Sequence, residues 1–275
     1  MSKSTSFEQA LELTPIDGDL STLAWDVPDL WKQGRGAWGG LVVGALVKSV
    51  EMQEELDISR RVRTISSQIF APIPVGPNAI SVTCLRRGSG MSTWQSFVRD
   101  ENGVPLAQGV VITGKPRATD LAGVESSWGM ASVPAMGDWR EVPTALIVPP
   151  LGPEFCAQLE YRPRRGMPMS GEAPWTEGWI SIPGLTAWTA HLLMGIVDAW
   201  LPAAYVALPG PRPMATVSFG AHLLMDPSEV DPGEPLLHEA TVTAAQDGFT
   251  SELRRLWTPD GRLVLENHQS IVIVA

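Results

Sequence analysis

The strongest constraint on this 275-residue chain is that it runs through nearly the same order of patterns twice. An apolar segment of helical length, residues 39–56, is followed by strand-like runs at Thr64–Phe70, Ala79–Arg86, Thr93–Asp100 and Pro105–Thr113. Strand-like residues near Glu154–Arg162 and Gly178–Ile182 then lead into a second apolar helix, about Thr186–Leu201, ended by Pro202. Strand patterns return at Ala215–Leu224, Leu236–Ala245, Thr250–Thr258 and Leu263–Val274. The turn signal Asp100-Glu101-Asn102-Gly103 has its counterpart in Thr258-Pro259-Asp260-Gly261. A repeat of this length means a duplicated domain rather than a solenoid.

Residues Leu41 to Val47 are apolar on every side, which marks a helix surrounded by protein rather than one lying on a surface. Each unit therefore has one buried helix and an antiparallel sheet long enough to wrap it. That is an α+β fold, the double hotdog, with two tandem hotdog units. The expected bounds are residues 1–118 for the first unit, 119–145 for a Pro-containing linker and 146–275 for the second unit.

Composition excludes several classes. A net charge of -10 argues against a nucleic-acid partner, because phosphate binding needs clustered Lys and Arg. The basic runs, such as Arg86-Arg87 and Arg254-Arg255, are short and scattered and read as solvated strand ends. Cys84 and Cys156 give neither a disulfide framework nor a zinc site, and both read as buried, inert thiols. The four histidines lack metal-ligand spacing, so no metal and no cofactor are expected. The N-terminus carries no apolar signal core. Residues 190–208 have the length of a membrane span, but Asp198, His191 and Pro202 argue against one. The expectation is a cytoplasmic protein without a membrane span.

Within that apolar run Asp198 is the only charge. A lone buried carboxylate costs free energy unless something pairs with it or uses it, so it is either catalytic or structurally satisfied. Strand alternation puts Leu263, Leu265, Asn267, Gln269, Ile271 and Ile273 on one face, where the Gln269 amide needs partners. Thr216 opens a strand. The segment Gly34-Arg35-Gly36-Ala37-Trp38-Gly39 satisfies a dinucleotide-binding pattern, but no strand is expected before it and antiparallel strands follow its helix. Its glycines suit a close backbone approach at a helix N-terminus, which can still hold a ligand oxygen.

With these residues in this order, the chain resembles the acyl-CoA thioesterase II family from about Gly34 to the C-terminus. Trp38-Gly39-Gly40-Leu41-Val42-Val43-Gly44 is similar to the family's glycine-rich helix start. Thr64–Pro72 followed by Gly76 is similar to the strand bearing its F-x-x-P-G-like turn, with Ile73-Pro74-Val75 inserted. The family's catalytic group is an aspartate, a threonine and a glutamine, and Asp198, Thr216 and Gln269 match them. Gln269 lies eight residues after Gly261, as the family spaces it. Ser218-Phe219-Gly220 departs from the family's D-H-S, and Trp38 stands where some single-hotdog thioesterases carry a histidine.

The resemblance implies hydrolysis of an acyl-CoA thioester by a water that Asp198 activates and that Thr216 and Gln269 hold. Gly39 and Gly40 would bind the substrate oxygen. The helix of the first half has no central acid, so one active site per chain is expected. A homo-oligomer is expected too, because hotdog sheets often pair through edge strands. The alternatives are a hotdog hydratase or dehydratase, which would need a histidine beside the aspartate, and a non-catalytic acyl-CoA-binding hotdog protein.

Overall fold

A computed structural model describes residues 6–54, 59–117 and 132–274. Twelve strands form one antiparallel sheet wrapped around two helices, α1 (Gly39–Glu54) and α2 (Ala190–Ile196). The strands of the first half are β1 (Leu13–Ile16), β2 (Asp19–Val27), β3 (Arg61–Ile69), β4 (Gly76–Arg87), β5 (Met91–Arg99) and β6 (Pro105–Gly114). Those of the second half are β7 (Glu160–Arg165), β8 (Trp175–Ser181), β9 (Met214–Leu223), β10 (Leu236–Gln246), β11 (Phe249–Trp257) and β12 (Leu263–Ile273). Their spatial order is β1-β2-β4-β5-β6-β3-β9-β12-β11-β10-β8-β7, so the second half mirrors the first strand for strand. The double hotdog expected from the repeat is the observed fold.

The halves join where β3 pairs with β9. There Ser66 lies opposite Gly220, with Ile65 opposite Ala221 and Ser67 opposite Phe219. That pairing is a local twofold, and it allows each residue of one half to be matched with one of the other by its ladder partners.

Within the sheet, α1 buries Leu41 to Val47 on all sides, as its uniformly apolar sequence requires. The expected helix ran to residue 56, but residues 55–58 lie outside the described set, as do 118–131 of the expected linker. The two helices cross antiparallel with almost no space between them. A methyl group on Gly195 would sit 2.7 Å from the Gly40 carbonyl oxygen, and one on Gly44 would sit 3.3 Å from the His191 carbonyl oxygen. Glycine is needed at the crossing so that backbone can lie on backbone.

Two local expectations are corrected, and one hairpin is added to the pattern. Residues Glu154–Gln158 form a 3-10 turn, and the strand starts only at Glu160. The turn lets Phe155 stack on Trp38 with ring centroids 4.4 Å apart, which a strand entering at Glu154 would not do. Cys84 is exposed on the outer end of β4, while Cys156 is buried with its thiol pushed up to about 11 by burial. The hairpin β1–β2 did not enter the strand pattern read from the sequence. Its turn is Asp17-Gly18, with φ of 52° and 77°. Both edge strands, β1 and β7, are short and carry a proline (Pro15 and Pro163), which blunts the sheet edges. No helix among the described residues is long and apolar enough to cross a membrane.

Overpacking a tight crossing costs on the order of 1–3 kcal/mol. Gly195→Ala is therefore expected to lower the urea-unfolding free energy by about 2 kcal/mol. Gly210→Ala, where a methyl group would meet nothing within 4 Å, should leave it unchanged.

Candidate active site

The site forms where the C-terminal end of α2 meets the N-terminal end of α1. The sequence pattern suggests a helix to Leu201, but α2 stops at Ile196. Beyond it the Asp198 N–H donates to Gly195 O at 3.1 Å and the Ala199 N–H to Ile196 O at 3.0 Å, a tighter winding. The carbonyls released at this end take side-chain donors instead. His238 Nε2 donates to Val197 O at 2.9 Å, Trp38 Nε1 to Asp198 O at 3.3 Å and the Tyr161 hydroxyl to Ala199 O at 3.0 Å. These partners replace further helix, so Pro202 is not what ends it.

This turn holds the Asp198 carboxylate at the positive end of α1. Its Oδ1 accepts from Gln269 Nε2 at 2.9 Å and from Arg254 Nη1 at 3.2 Å. The Gly40 N–H faces the same carboxylate and favours its charged form. First-turn N–H groups have no partner inside a helix, and the helix dipole favours an anion there. Oδ2 lies beside Gly39, where a methyl group would sit 2.8 Å from it. One oxygen is therefore tied to the protein and the other lies along the cleft wall.

Gln269 lies on the inner face of β12, with Leu265, Asn267 and Ile271, as alternation predicts. Leu263 and Ile273, at the strand ends, are only partly buried. The Gln269 amide is fully engaged: Nε2 donates to Asp198 and to Asn267 Oδ1 at 3.0 Å, and Oε1 accepts from Thr216 Oγ1 at 2.9 Å. A bulge at Val217 makes this possible. Thr216 pairs with Ile271 and Ser218 with Ser270, so the extra residue re-aims the Thr216 side chain. Asp198, Thr216 and Gln269 thus converge, but Thr216 and Gln269 bond each other directly and no water fits between them.

Two groups of the network escaped the sequence reading. Arg254 is only 1% exposed and donates Nε to Glu252 Oε1 at 2.7 Å, while Glu252 Oε2 accepts from the Ala203 N–H at 2.8 Å. Arg254 is thus no solvated strand end. Alternation along β11 carried the signal, since Thr250, Glu252, Arg254 and Leu256 share the buried face.

Burial pushes the Asp198 carboxyl above its ordinary range, and the Glu252 charge adds to the rise. Arg254, Gln269 and the Gly40 N–H pull the other way without cancelling it. His238 is held neutral, pushed down to about 3 by burial and by Arg254. No histidine acts beside Asp198 as a hydratase would require. His238 donates to a backbone carbonyl, and His191 pairs with Glu51 (Nδ1–Oε2 2.5 Å) at the other end of α2.

A cleft of about 560 Å³ opens onto Asp198, Thr216, Arg254 and Gly39. Both halves line it: Ile69 ends β3, Phe70 follows it, and Met214 begins β9. The local twofold carries this cleft onto a second, of about 340 Å³, near Val62, Thr113 and Thr189. Matched by ladder partners, Val111 takes the place of Gln269 and Val62 that of Thr216. The helix crossing puts Val47 in the place of Asp198. Charges around the second cleft are paired with each other: Arg61 with Asp226, and Glu54 with Arg87 at 2.9 Å. Among the described residues the polar trio occurs once.

Comparison with known proteins bears on the family and the fold. Residues 130–273 match the family model of the acyl-CoA thioesterase C-terminal domain, and residues 27–114 match that of the N-terminal domain. Solved structures share the fold. A hot dog fold protein from Alicyclobacillus acidocaldarius superposes with TM-score 0.86 at 20% identity, covering 98% of each chain. A protein assigned as a thioesterase II from Thermobifida fusca gives 0.78 at 22% identity over 100% of each chain. An acyl-CoA thioesterase II from Mycobacterium marinum gives 0.75 at 14% identity, covering 98% of each. No curated protein matches the chain.

The direction of the Asp198 shift yields a stability test. Because the folded state binds this proton more tightly than the unfolded chain does, stability is lost as pH rises from the ordinary carboxylate value of 3.8. The loss is complete above the raised value. Asp198→Asn is therefore expected to raise Tm at pH 7 to 8, and the gain should shrink as pH falls toward 3.8. Thermal unfolding of both proteins across that range measures it.

Proposed function

The chain belongs to the acyl-CoA thioesterase family and is a thioester hydrolase; on that premise we propose that it cleaves an acyl-CoA to the free acid and CoA, with Asp198 as proton acceptor. The observation that carries this reading is the division of labour at the carboxylate. Its Oδ1 is fixed by Arg254 and Gln269, while Oδ2 lies at the cleft beside Gly39.

A water against Oδ2 and the Thr216 hydroxyl oxygen gives its proton to Asp198 as its oxygen attacks the thioester carbonyl. Thr216 spends its own hydrogen on Gln269, so its oxygen is free to accept from that water. The Gly39 N–H, at the positive end of α1, donates to the carbonyl oxygen as negative charge develops. Gly40 contributes by holding the carboxylate. When the C–S bond breaks, the proton on Asp198 passes to the departing thiolate. A carboxyl raised above its ordinary range suits a group that must both take and return a proton near neutrality.

Ile69, Phe70, Met214 and Ile271 give the cleft the apolar surface that an acyl chain requires. Arg35, exposed at the same cleft, would meet a phosphate of CoA. Residues 1–118 and 146–275 are the two hotdog units in this reading, joined by 119–145. An assembly of copies would use surfaces other than the blunted edges β1 and β7.

Release of free thiol from acyl-CoAs of increasing chain length tests the reading. Wild type should turn over at least part of the panel. Asp198→Asn should fall by more than ~100-fold in kcat with acyl-CoA binding retained, the range for losing a general base. Thr216→Val should lower kcat, while Val111→Thr in the first half should leave it unchanged. Equal turnover by wild type and Asp198→Asn would place the chemistry elsewhere.

Gly39→Ala separates the cleft wall from the fold. Its methyl group would press on Oδ2, so kcat is expected to drop at least ~10-fold while acyl-CoA binding persists.

A further inference from the structure

We infer that Arg254, held by Glu252, is a positioning residue for the hydrolysis, keeping Asp198 ionised and turning its Oδ2 toward the substrate. The inference rests on Asp198 being the proton acceptor.

The duplication supplies the argument. Arg254 pairs across the ladder with Asn267, and Glu252 with Gln269. In the first half the matching positions on β5 are Ser96, opposite Gly109, and Trp94, opposite Val111. The same strand in the same fold is thus built there without a buried cation: Trp94 donates to the buried Glu54 at 2.8 Å, and the arginine that pairs with Glu54, Arg87, is exposed. Ser96 bonds Ser49 of α1 at 2.8 Å, an ordinary neutral contact. Packing therefore does not require Arg254 and Glu252. Both occur only in the half that carries Asp198, and both are essentially inaccessible to water. A buried ion pair is weak evidence for stability, since apolar residues of similar size commonly serve as well. Its presence in one half alone points to the site.

Geometry gives it a task. Arg254 Nη1 lies between Asp198 Oδ1, at 3.2 Å, and Val197 O, at 3.4 Å, so one guanidinium nitrogen grips both the carboxylate and its own turn. Nε is pinned by Glu252, whose other oxygen holds the Ala203 N–H on the far side of that turn. Glu252 and Arg254 thereby bracket the loop from Val197 to Ala203 and fix the direction of the carboxylate. The groups facing Asp198 are few. From β11 come Arg254 and Glu252, from β12 the neutral Gln269, and from β10 the neutral His238. From β7 comes the buried Tyr161 hydroxyl, which shares a hydrogen bond with the Cys156 thiol. The start of α1 contributes the backbone of Gly39 and Gly40, Trp38 just before it contributes a neutral indole, and Arg35 is exposed at the mouth of the cleft. Arg254 is thus the one buried cation among the groups facing the carboxylate.

The test is the pH dependence of kcat/KM for acyl-CoA hydrolysis by wild type, Arg254→Met, Arg254→Lys and Glu252→Gln. Arg254→Met should move the acid limb up by at least one pH unit. Its deficit at pH 7 should exceed tenfold and shrink as pH rises. Arg254→Lys should recover part of the shift. Glu252→Gln removes a negative neighbour and should move the limb down, opposite to Arg254→Met. A purely structural role would lower activity by the same factor at every pH and leave the limb in place, and that result would overturn the inference.

A readout without turnover keeps it testable if Arg254→Met folds poorly or wild type hydrolyses no acyl-CoA in the panel. Carbon-13 NMR of labelled aspartate carboxyls, with Asp198→Asn identifying the resonance, follows the Asp198 titration in wild type and Arg254→Lys. A midpoint unmoved by Arg254→Lys and by Glu252→Gln would end the proposal. Absence of turnover in wild type with a shifted midpoint would instead end the thioesterase reading and leave the electrostatic coupling standing.

Discussion

A carboxylate buried at the positive end of a helix is the interaction on which the rest of this structure depends. Asp198 can lie there because Gly40 and Gly195 let the two helices meet backbone to backbone. The end of α2 then unwinds so that its carbonyls meet Trp38, Tyr161 and His238 rather than further helix. The bulge at Val217 turns Thr216 inward, and alternation on β12 brings Gln269 beneath the carboxylate. The bulge is shared with the first half, which has it at Arg63, so what differs at this place is Thr216 where the first half has Val62. Burial raises the proton affinity of the carboxylate, and three neighbours restrain the rise.

The first half shows what the fold does without it. Val47, Val62 and Val111 fill the matched positions, and the helix there runs unbroken from Gly39 to Glu54. Apolar residues serve the scaffold at these three positions, because buried polar groups add stability only when every partner is in place. The second half departs from that solution at Asp198, Thr216, Glu252, Arg254, Asn267 and Gln269 together. In the proposed mechanism that departure gives an acid whose proton affinity is raised above the ordinary carboxylate range, for use on a thioester.

Much of this was legible in the residues. The repeated order of helix and strands carried the double hotdog, because hydrophobic period and turn chemistry agree in both halves. Asp198 stands out as a lone charge in an apolar run, and alternation alone puts Gln269 on the buried face. Other parts were hidden by tertiary effects. The early end of α2 follows from side-chain donors that are distant in sequence, Trp38 by 160 residues. Arg254 read as a surface residue because it adjoins Arg255, although strand alternation assigns the two to opposite faces. The Asp17-Gly18 turn was a strong hairpin signal that went unused, since the strands it joins begin within an unremarkable polar N-terminus. Cys84 looked apolar by its neighbours, yet it sits at a strand end that outruns the core.

The central claim is that Asp198 passes a proton rather than forming a bond to the acyl group. Repeated turnover of acyl-CoA in oxygen-18 water, followed by mass spectrometry of the peptide containing Asp198, tests it most directly. Proton transfer predicts label in the released acid and none in Asp198. Oxygen-18 accumulating in the Asp198 carboxyl with turnover would contradict it, because that oxygen could enter only through attack of water on an acyl-aspartyl anhydride.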